Sequence, residues 1–167
     1  MKKLLYLLSI STASVFLMGC PYESVVPIDN PTVKYPAALL GKWEPKGSSD
    51  DIYNIQRKDE YTIIITKTKK EAKPDDTPEV YEAFLSDVVG TKFLNLYEKK
   101  NEDEGSKKFY LYKLEISTNG ARLTLSGVTE NVDEKFESSA GLKSFIEENM
   151  KHSFFYGKDD EVYIRAD

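Results

Sequence analysis

The sequence predicts a mainly β protein: an antiparallel up-and-down meander of about eight strands that closes into a barrel, with one helix before the last strand. Apolar and polar residues alternate in short segments along most of the chain, which is the pattern of half-buried strands. Short polar links join most of these segments, and no internal helix is large enough for the crossovers of a parallel sheet. With 40% hydrophobic residues among 167, the chain is too apolar to be disordered throughout.

Eight segments carry the strand pattern, in which β-branched, aromatic or leucine side chains recur at every second position. In chain order they are 39–43, 51–57, 61–68, 80–89, 92–97, 108–117, 121–126 and 161–165. Asn119-Gly120 joins the sixth segment to the seventh, and both residues accept the positive φ of a tight hairpin turn. An eight-stranded meander that closes has no free edge, and its interior can hold one small ligand.

The predicted helix lies between the last two strand segments. Ser138 or Ser139 is a suitable N-cap, because its hydroxyl can accept a backbone hydrogen bond of the first turn. The apolar residues that follow lie three or four positions apart and share one helical face: Leu142, Phe145, Ile146 and Met150.

The charge and the cysteine count exclude several classes of function. The 23 basic and 28 acidic side chains give a net charge of −5, whereas nucleic-acid binding needs clustered Lys and Arg. A single cysteine excludes an internal disulfide, and with only one histidine it excludes the usual zinc ligand sets. We therefore expect no metal and no cofactor.

Residues 1–19 predict an export signal. Lys2 and Lys3 form a basic start, an uncharged apolar run extends from Leu4 to Met18, and Gly19 precedes the cysteine. This run is shorter than the about 20 residues that a membrane-spanning helix needs, which favours a cleaved signal.

The segment Leu17-Met18-Gly19-Cys20 resembles the lipobox of bacterial lipoproteins. The resemblance implies cleavage between Gly19 and Cys20, a diacylglyceryl group on the Cys20 thiol, and a fatty acyl group, such as palmitate, on the new amine. Two or three acyl chains hold a protein on a membrane far longer than one. We expect a lipid-anchored protein of the cell envelope, with the outer membrane as its membrane and the face left open.

Residues 20–38 predict a tether between the lipidated cysteine and a domain at 39–167. Proline recurs there at positions 21, 27, 31 and 36, which favours an extended chain that could lift the domain by roughly 50 Å. An alternative is equally compatible with the sequence: from Val25 onward the segment lies along the domain surface as an ordered arm.

The motif Gly41-Lys42-Trp43, followed by the meander, resembles the lipocalin or wider calycin pattern. Residues 93–97 and the helix before the last strand are similar to those of small bacterial lipocalin-like lipoproteins without known activity. The resemblance implies that Trp43 packs at the closed end of the barrel, that Arg165 is its partner, and that a cavity opens at the other end. Trp43 could also be a plain core aromatic.

Tyrosine is the candidate ligand-binding residue type. Tyr61, Tyr81, Tyr110 and Tyr112 lie on predicted strands, and their rings at a barrel mouth could hold a small apolar or glycan ligand. The alternative is that these aromatics only cover the sheet.

No catalytic motif is present, so we expect no enzymatic activity. The lone His152 follows the helix without a nucleophile motif, and the acidic clusters at 50–51, 75–76, 102–104 and 159–161 lie in predicted loops, where charge is usually solvated.

Three functions are compatible with these patterns. The first is an anchored lipocalin-like protein that binds a small apolar ligand or a partner protein. The second is an envelope interaction module whose barrel is filled and takes no ligand. The third is a hydrolase with two inward carboxylates near the barrel mouth.

Overall fold

The computed structural model describes residues 22–47, 49–99, 107–129 and 131–166. Within these residues lie nine strands and one α-helix, and residues 1–21, which include the predicted signal and Cys20, fall outside them. The elements are β1 (Glu23–Ser24), β2 (Gly41–Pro45), β3 (Asp51–Arg57), β4 (Thr62–Lys69), β5 (Glu79–Val88), β6 (Thr91–Glu98), β7 (Phe109–Ile116), β8 (Arg122–Gly127), α1 (Ser139–Asn149) and β9 (Glu161–Arg165).

Strands β2 to β9 form a closed antiparallel barrel, which confirms the predicted fold class. Each strand pairs with the next in the chain, and β9 closes the circle by pairing with both β8 and β2. The short β1 adds to the edge of β7 beyond the end of β8, through the pair Glu23 and Tyr110. β3 and β9 have the predicted bounds, and the bounds of the other six barrel strands differ from the predicted ones by one or two residues. Local periodicity does not define where pairing stops.

Two apolar cores lie on opposite faces of the sheet. Residues of alternate parity point into the barrel, among them Trp43, Ile63 and Leu114. The second core lies outside the barrel, where α1 covers the outer face of β5, β6 and β7 with Leu142 and Ile146. The predicted helix is confirmed, with Ser138 as its N-cap: the Ser138 hydroxyl accepts the Gly141 N–H at 3.3 Å.

The segment before β2 is an ordered arm rather than a free tether. Tyr22 and Ile28 are buried in the outer core, and the Tyr22 N–H donates to the Val128 carbonyl at 3.0 Å. The fully buried Asn95 accepts the Ile28 N–H at 2.8 Å and donates to the Ser86 hydroxyl at 2.9 Å. The alternative of an arm from Val25 onward is therefore the one that the structure adopts.

The hairpin at Asn119-Gly120 differs from the turn chemistry that the sequence predicts. At Asn119-Gly120 only the glycine has a positive φ, of 68°, and the Asn119 side chain instead accepts the Ala121 N–H at 3.2 Å. The two-residue turn with positive φ at both positions lies between β5 and β6, where Val89 has φ 50° and Gly90 has φ 82°. A β-branched residue in this region is strained.

Replacing Val89 by asparagine is expected to raise the free energy of unfolding by about 1 kcal/mol, because asparagine tolerates the left-handed region far better than valine. Val89 is 65% exposed, so little packing is lost. Urea unfolding measures the change. Val25→Asn is the matched control, since Val25 is equally exposed at 63% and has no positive φ. We expect a change of about 0.5 kcal/mol or less there; equal effects at both sites would contradict the strain.

Candidate functional site

The barrel encloses a cavity of about 470 Å³. It opens at the end of the barrel where β2, β4, β6 and β8 finish, and it is closed at the opposite end. All eight barrel strands contribute inward-facing residues to its lining, β2 and β5 one residue each and the others two or three. Leu39 and Glu23 are added from the arm. The lining residues are Glu23, Leu39, Trp43, Tyr53, Ile55, Ile63, Ile65, Tyr81, Leu94, Leu96, Glu98, Tyr110, Tyr112, Leu114, Leu123, Leu125, Glu161 and Tyr163.

Trp43 and Leu39 form the base of the cavity at the closed end. Trp43 is fully buried, and its indole N–H donates to the Leu39 carbonyl at 2.9 Å. The guanidinium of Arg165 lies 4.5 Å from the centre of the Trp43 ring, which is a cation–π geometry. It also donates to the carbonyls of Leu40 and Gly120, each at 3.0 Å. The contact between Trp43 and Arg165 that the lipocalin resemblance implies is therefore present.

Gly41 makes room for this arrangement. Its φ is +122°, and a Cβ at this position would lie 2.6 Å from Nη1 of Arg165. Any side chain would therefore require the Arg165 guanidinium to shift from its position over the Trp43 ring. The glycine two residues before Trp43 therefore leaves space for the guanidinium that packs on the Trp43 ring.

Five tyrosines form a ring between the apolar base and the rim of the cavity: Tyr53, Tyr81, Tyr110, Tyr112 and Tyr163. The predicted residues Tyr81, Tyr110 and Tyr112 are among them. Tyr61 is not, because β4 begins only at Thr62 and Tyr61 lies in the turn before it at the closed end.

Tyr53 and Tyr163 also lie on predicted strands, and the alternation in those strands points to the cavity. Tyr53 lies two residues before the inward-facing Ile55, and Tyr163 pairs directly with the inward-facing Leu123. The two rings meet edge to face with centroids 5.1 Å apart.

The phenol groups are held in their neutral form. Burial raises the pKa of Tyr81, Tyr112 and Tyr163, and the nearby carboxylates of Glu79 and Glu161 raise these pKa values further. The Tyr163 hydroxyl donates to Glu161 at 2.6 Å. The ring of tyrosines therefore presents protonated hydroxyls and electron-rich ring faces to the cavity.

The charged residues that line the cavity, within the described part of the chain, are all glutamates. Glu23 forms an ion pair with Lys108 at 2.6 Å, and the Tyr110 hydroxyl donates to it at 3.3 Å. Glu98 is the last residue of β6 and Glu161 the first of β9, so both lie at the open end. These glutamates were not among the predicted site residues.

Of the other chemical candidates, the acidic cluster at 159–161 contributes Glu161 to the cavity, and the cluster at 102–104 lies outside the described residues. His152 and Asp51 do not line the cavity. His152 is exposed and stacks on Phe154 with ring centroids 5.1 Å apart. Asp51 of the first acidic cluster pairs with Lys69 at 2.6 Å. Across the described ranges, no group of three or more His, Cys, Asp or Glu side chains could hold a metal ion. None of the helices in these ranges is long and apolar enough to cross a membrane.

No protein-family model, no curated protein and no solved structure matches this chain. The functional assignment therefore depends on the geometry of the cavity and on the patterns in the sequence.

Proposed function

We propose that the protein is a lipid-anchored protein of the cell envelope whose lipocalin-like barrel binds a small apolar ligand. The observation that carries this proposal is the cavity of about 470 Å³. Ligand sites are typically clefts of about 300–1,000 Å³ with mostly apolar walls and a few polar groups. The apolar base, the ring of tyrosines and the open end fit this description.

A filled interaction module is the less favoured function. Close-packed protein interiors contain few voids larger than a water molecule, whereas this barrel leaves several hundred cubic ångströms empty. Apolar walls gain free energy when a ligand removes them from water, by about 25 cal/mol for each Å². The empty volume is therefore a cost to stability that ligand binding would offset.

The arm places the proposed anchor at Cys20 close in space to the open end of the cavity. Tyr22 is bound to the barrel and Glu23 lines the cavity rim. Three residues of chain span at most about 11 Å, so a lipid on Cys20 would be held within that distance of Glu23. The domain would lie close to the bilayer with its open end near the anchor, rather than roughly 50 Å away on an extended tether.

Native mass spectrometry of the protein purified from its own cells tests the ligand directly. A co-purifying small molecule supports the binding function. A protein partner in fixed stoichiometry, without a small molecule, would instead support the interaction module.

Replacing Leu125 by tryptophan is expected to weaken binding of the neutral apolar dye N-phenyl-1-naphthylamine by about tenfold or more, because the larger side chain fills the cavity that Leu125 lines. Dye fluorescence measures the affinity, and circular dichroism checks that the barrel still forms. Thr124→Trp is the matched control, since Thr124 is the neighbour of Leu125 on the outer face of β8. Unchanged dye binding by a folded Leu125→Trp variant would contradict the proposed site.

A further inference from the structure

We propose that the ligand combines an apolar body with a cationic group, an amine or a quaternary ammonium, and that the cation lies at the open end of the cavity. This inference rests on the binding function proposed above. It follows from the order in which apolar, aromatic and acidic side chains succeed one another from the base to the rim.

The order is visible along single strands. On β6 the inward positions run Leu94, Leu96, Glu98 from the interior to the rim. Across the β8–β9 pair, Leu125 lies opposite Glu161, and Leu123 opposite Tyr163. An apolar body would therefore reach the leucines while its polar group stays beside the glutamates.

The charge at the rim is not neutralised by the lining itself. No Lys or Arg is among the described residues that line the cavity. Lys108 compensates Glu23 at 2.6 Å, and Lys67 on the same rim is engaged by Glu79 at 2.9 Å. Within the described residues Glu161 has no ion pair and accepts only the Tyr163 hydroxyl. Glu161 thus supplies a negative charge that a ligand cation could balance.

The ring of tyrosines also favours a positively charged group on the ligand. The face of an aromatic ring attracts a cation within about 6 Å, and aromatic cages are a common means of holding quaternary ammonium groups. An anionic group would be repelled both by the electron-rich ring faces and by the carboxylates of the glutamates. A neutral ligand would gain from the apolar base but from neither of these charge interactions.

Three probes that share an octyl-type chain and differ in the charge of the head group separate the contribution of charge to the affinity from that of the apolar chain. They are octyltrimethylammonium, 1-octanol and octanoate. Each displaces N-phenyl-1-naphthylamine from the purified full chain, held in nanodiscs of zwitterionic lipid, with empty nanodiscs as the blank. We expect the cation to bind about tenfold more tightly than the alcohol, and octanoate to bind most weakly. The advantage of the cation should fall as salt is added.

The variant Glu161→Gln is expected to remove most of the advantage of the cation and to leave the affinity of 1-octanol unchanged. Glu115→Gln is the matched control: it makes the same change in net charge on the outer face of β7, where Glu115 pairs with Lys113. If the alcohol binds as tightly as the cation, or if Glu161→Gln leaves their ratio unchanged, the inference is overturned while the binding function stands. If none of the three displaces the dye, the binding function itself fails and the inference with it.

Discussion

Replacing Gly41 by alanine is expected to lower the free energy of unfolding by about 3 kcal/mol. The backbone φ of +122° is unfavourable for any L side chain, and the new Cβ would lie 2.6 Å from Nη1 of Arg165. The guanidinium must then shift, which weakens its contact with the Trp43 ring and the hydrogen bond from Nη1 to the Leu40 carbonyl. The closed end of the barrel would lose part of the side-chain contact between β2 and β9, while the backbone pairing of the two strands remains.

Gly47→Ala separates the two causes. Gly47 also has a positive φ, of +147°, but apart from its chain neighbours no atom of the described residues lies within 4 Å of the Cβ that would be added. We expect this variant to lose only about 1 kcal/mol from backbone strain. Urea unfolding gives both values, and the fluorescence of Trp43, the single tryptophan of the chain, should change in Gly41→Ala alone. Equal losses in the two variants would show that the contact with Arg165 contributes nothing.

Replacing Cys20 by serine is expected to abolish incorporation of a fatty-acid analogue and to leave the unprocessed precursor. The thiol is the only group in the chain that can form the thioether of a lipoprotein, since Cys20 is the single cysteine. Without two or three acyl chains, stable anchoring through this position is lost. Metabolic labelling followed by mass spectrometry of the N-terminal peptide measures both effects.

The double variant Cys20→Ser, Val25→Cys is the control for position. It restores one thiol five residues later, at an exposed site outside the lipobox, and it should remain unlabelled. Labelling of the Cys20→Ser variant, or an unlabelled natural protein, would refute the proposed anchor.

Much of the barrel could be predicted because strand and helix signals are local. The alternation in 51–57 and 161–165 located β3 and β9 with their observed bounds. Ser138 and Ser139 were the two predicted N-caps of α1, because a hydroxyl one residue before a helix satisfies a backbone donor of the first turn, and Ser138 is the one that does so. The turn types were less predictable: Val89 adopts a positive φ that its own side chain disfavours, because the pairing of β5 with β6 imposes it.

The candidate site could be predicted only in part. Tyr81, Tyr110 and Tyr112 could be predicted because they lie on strands that the local alternation located. The prediction that Tyr61 lines the cavity was wrong, because the alternation of side chains along a strand does not show at which residue the strand begins. The course of the arm was left open, since the contacts that fix it, such as that of Ile28 with Asn95, join residues 67 positions apart.

The sequence by itself determined the strand periodicity, the position of the helix and the motif of Gly41 and Trp43, since each depends on neighbours within a few residues. Only the tertiary structure decided that Glu23, Glu98 and Glu161 line one cavity. Each belongs to a different strand, and nothing in the local pattern around any one of them refers to the other two. Closure of the barrel brings these carboxylates to the same open end, because the pairing of β9 with β2 and β8 fixes the register around the whole circle.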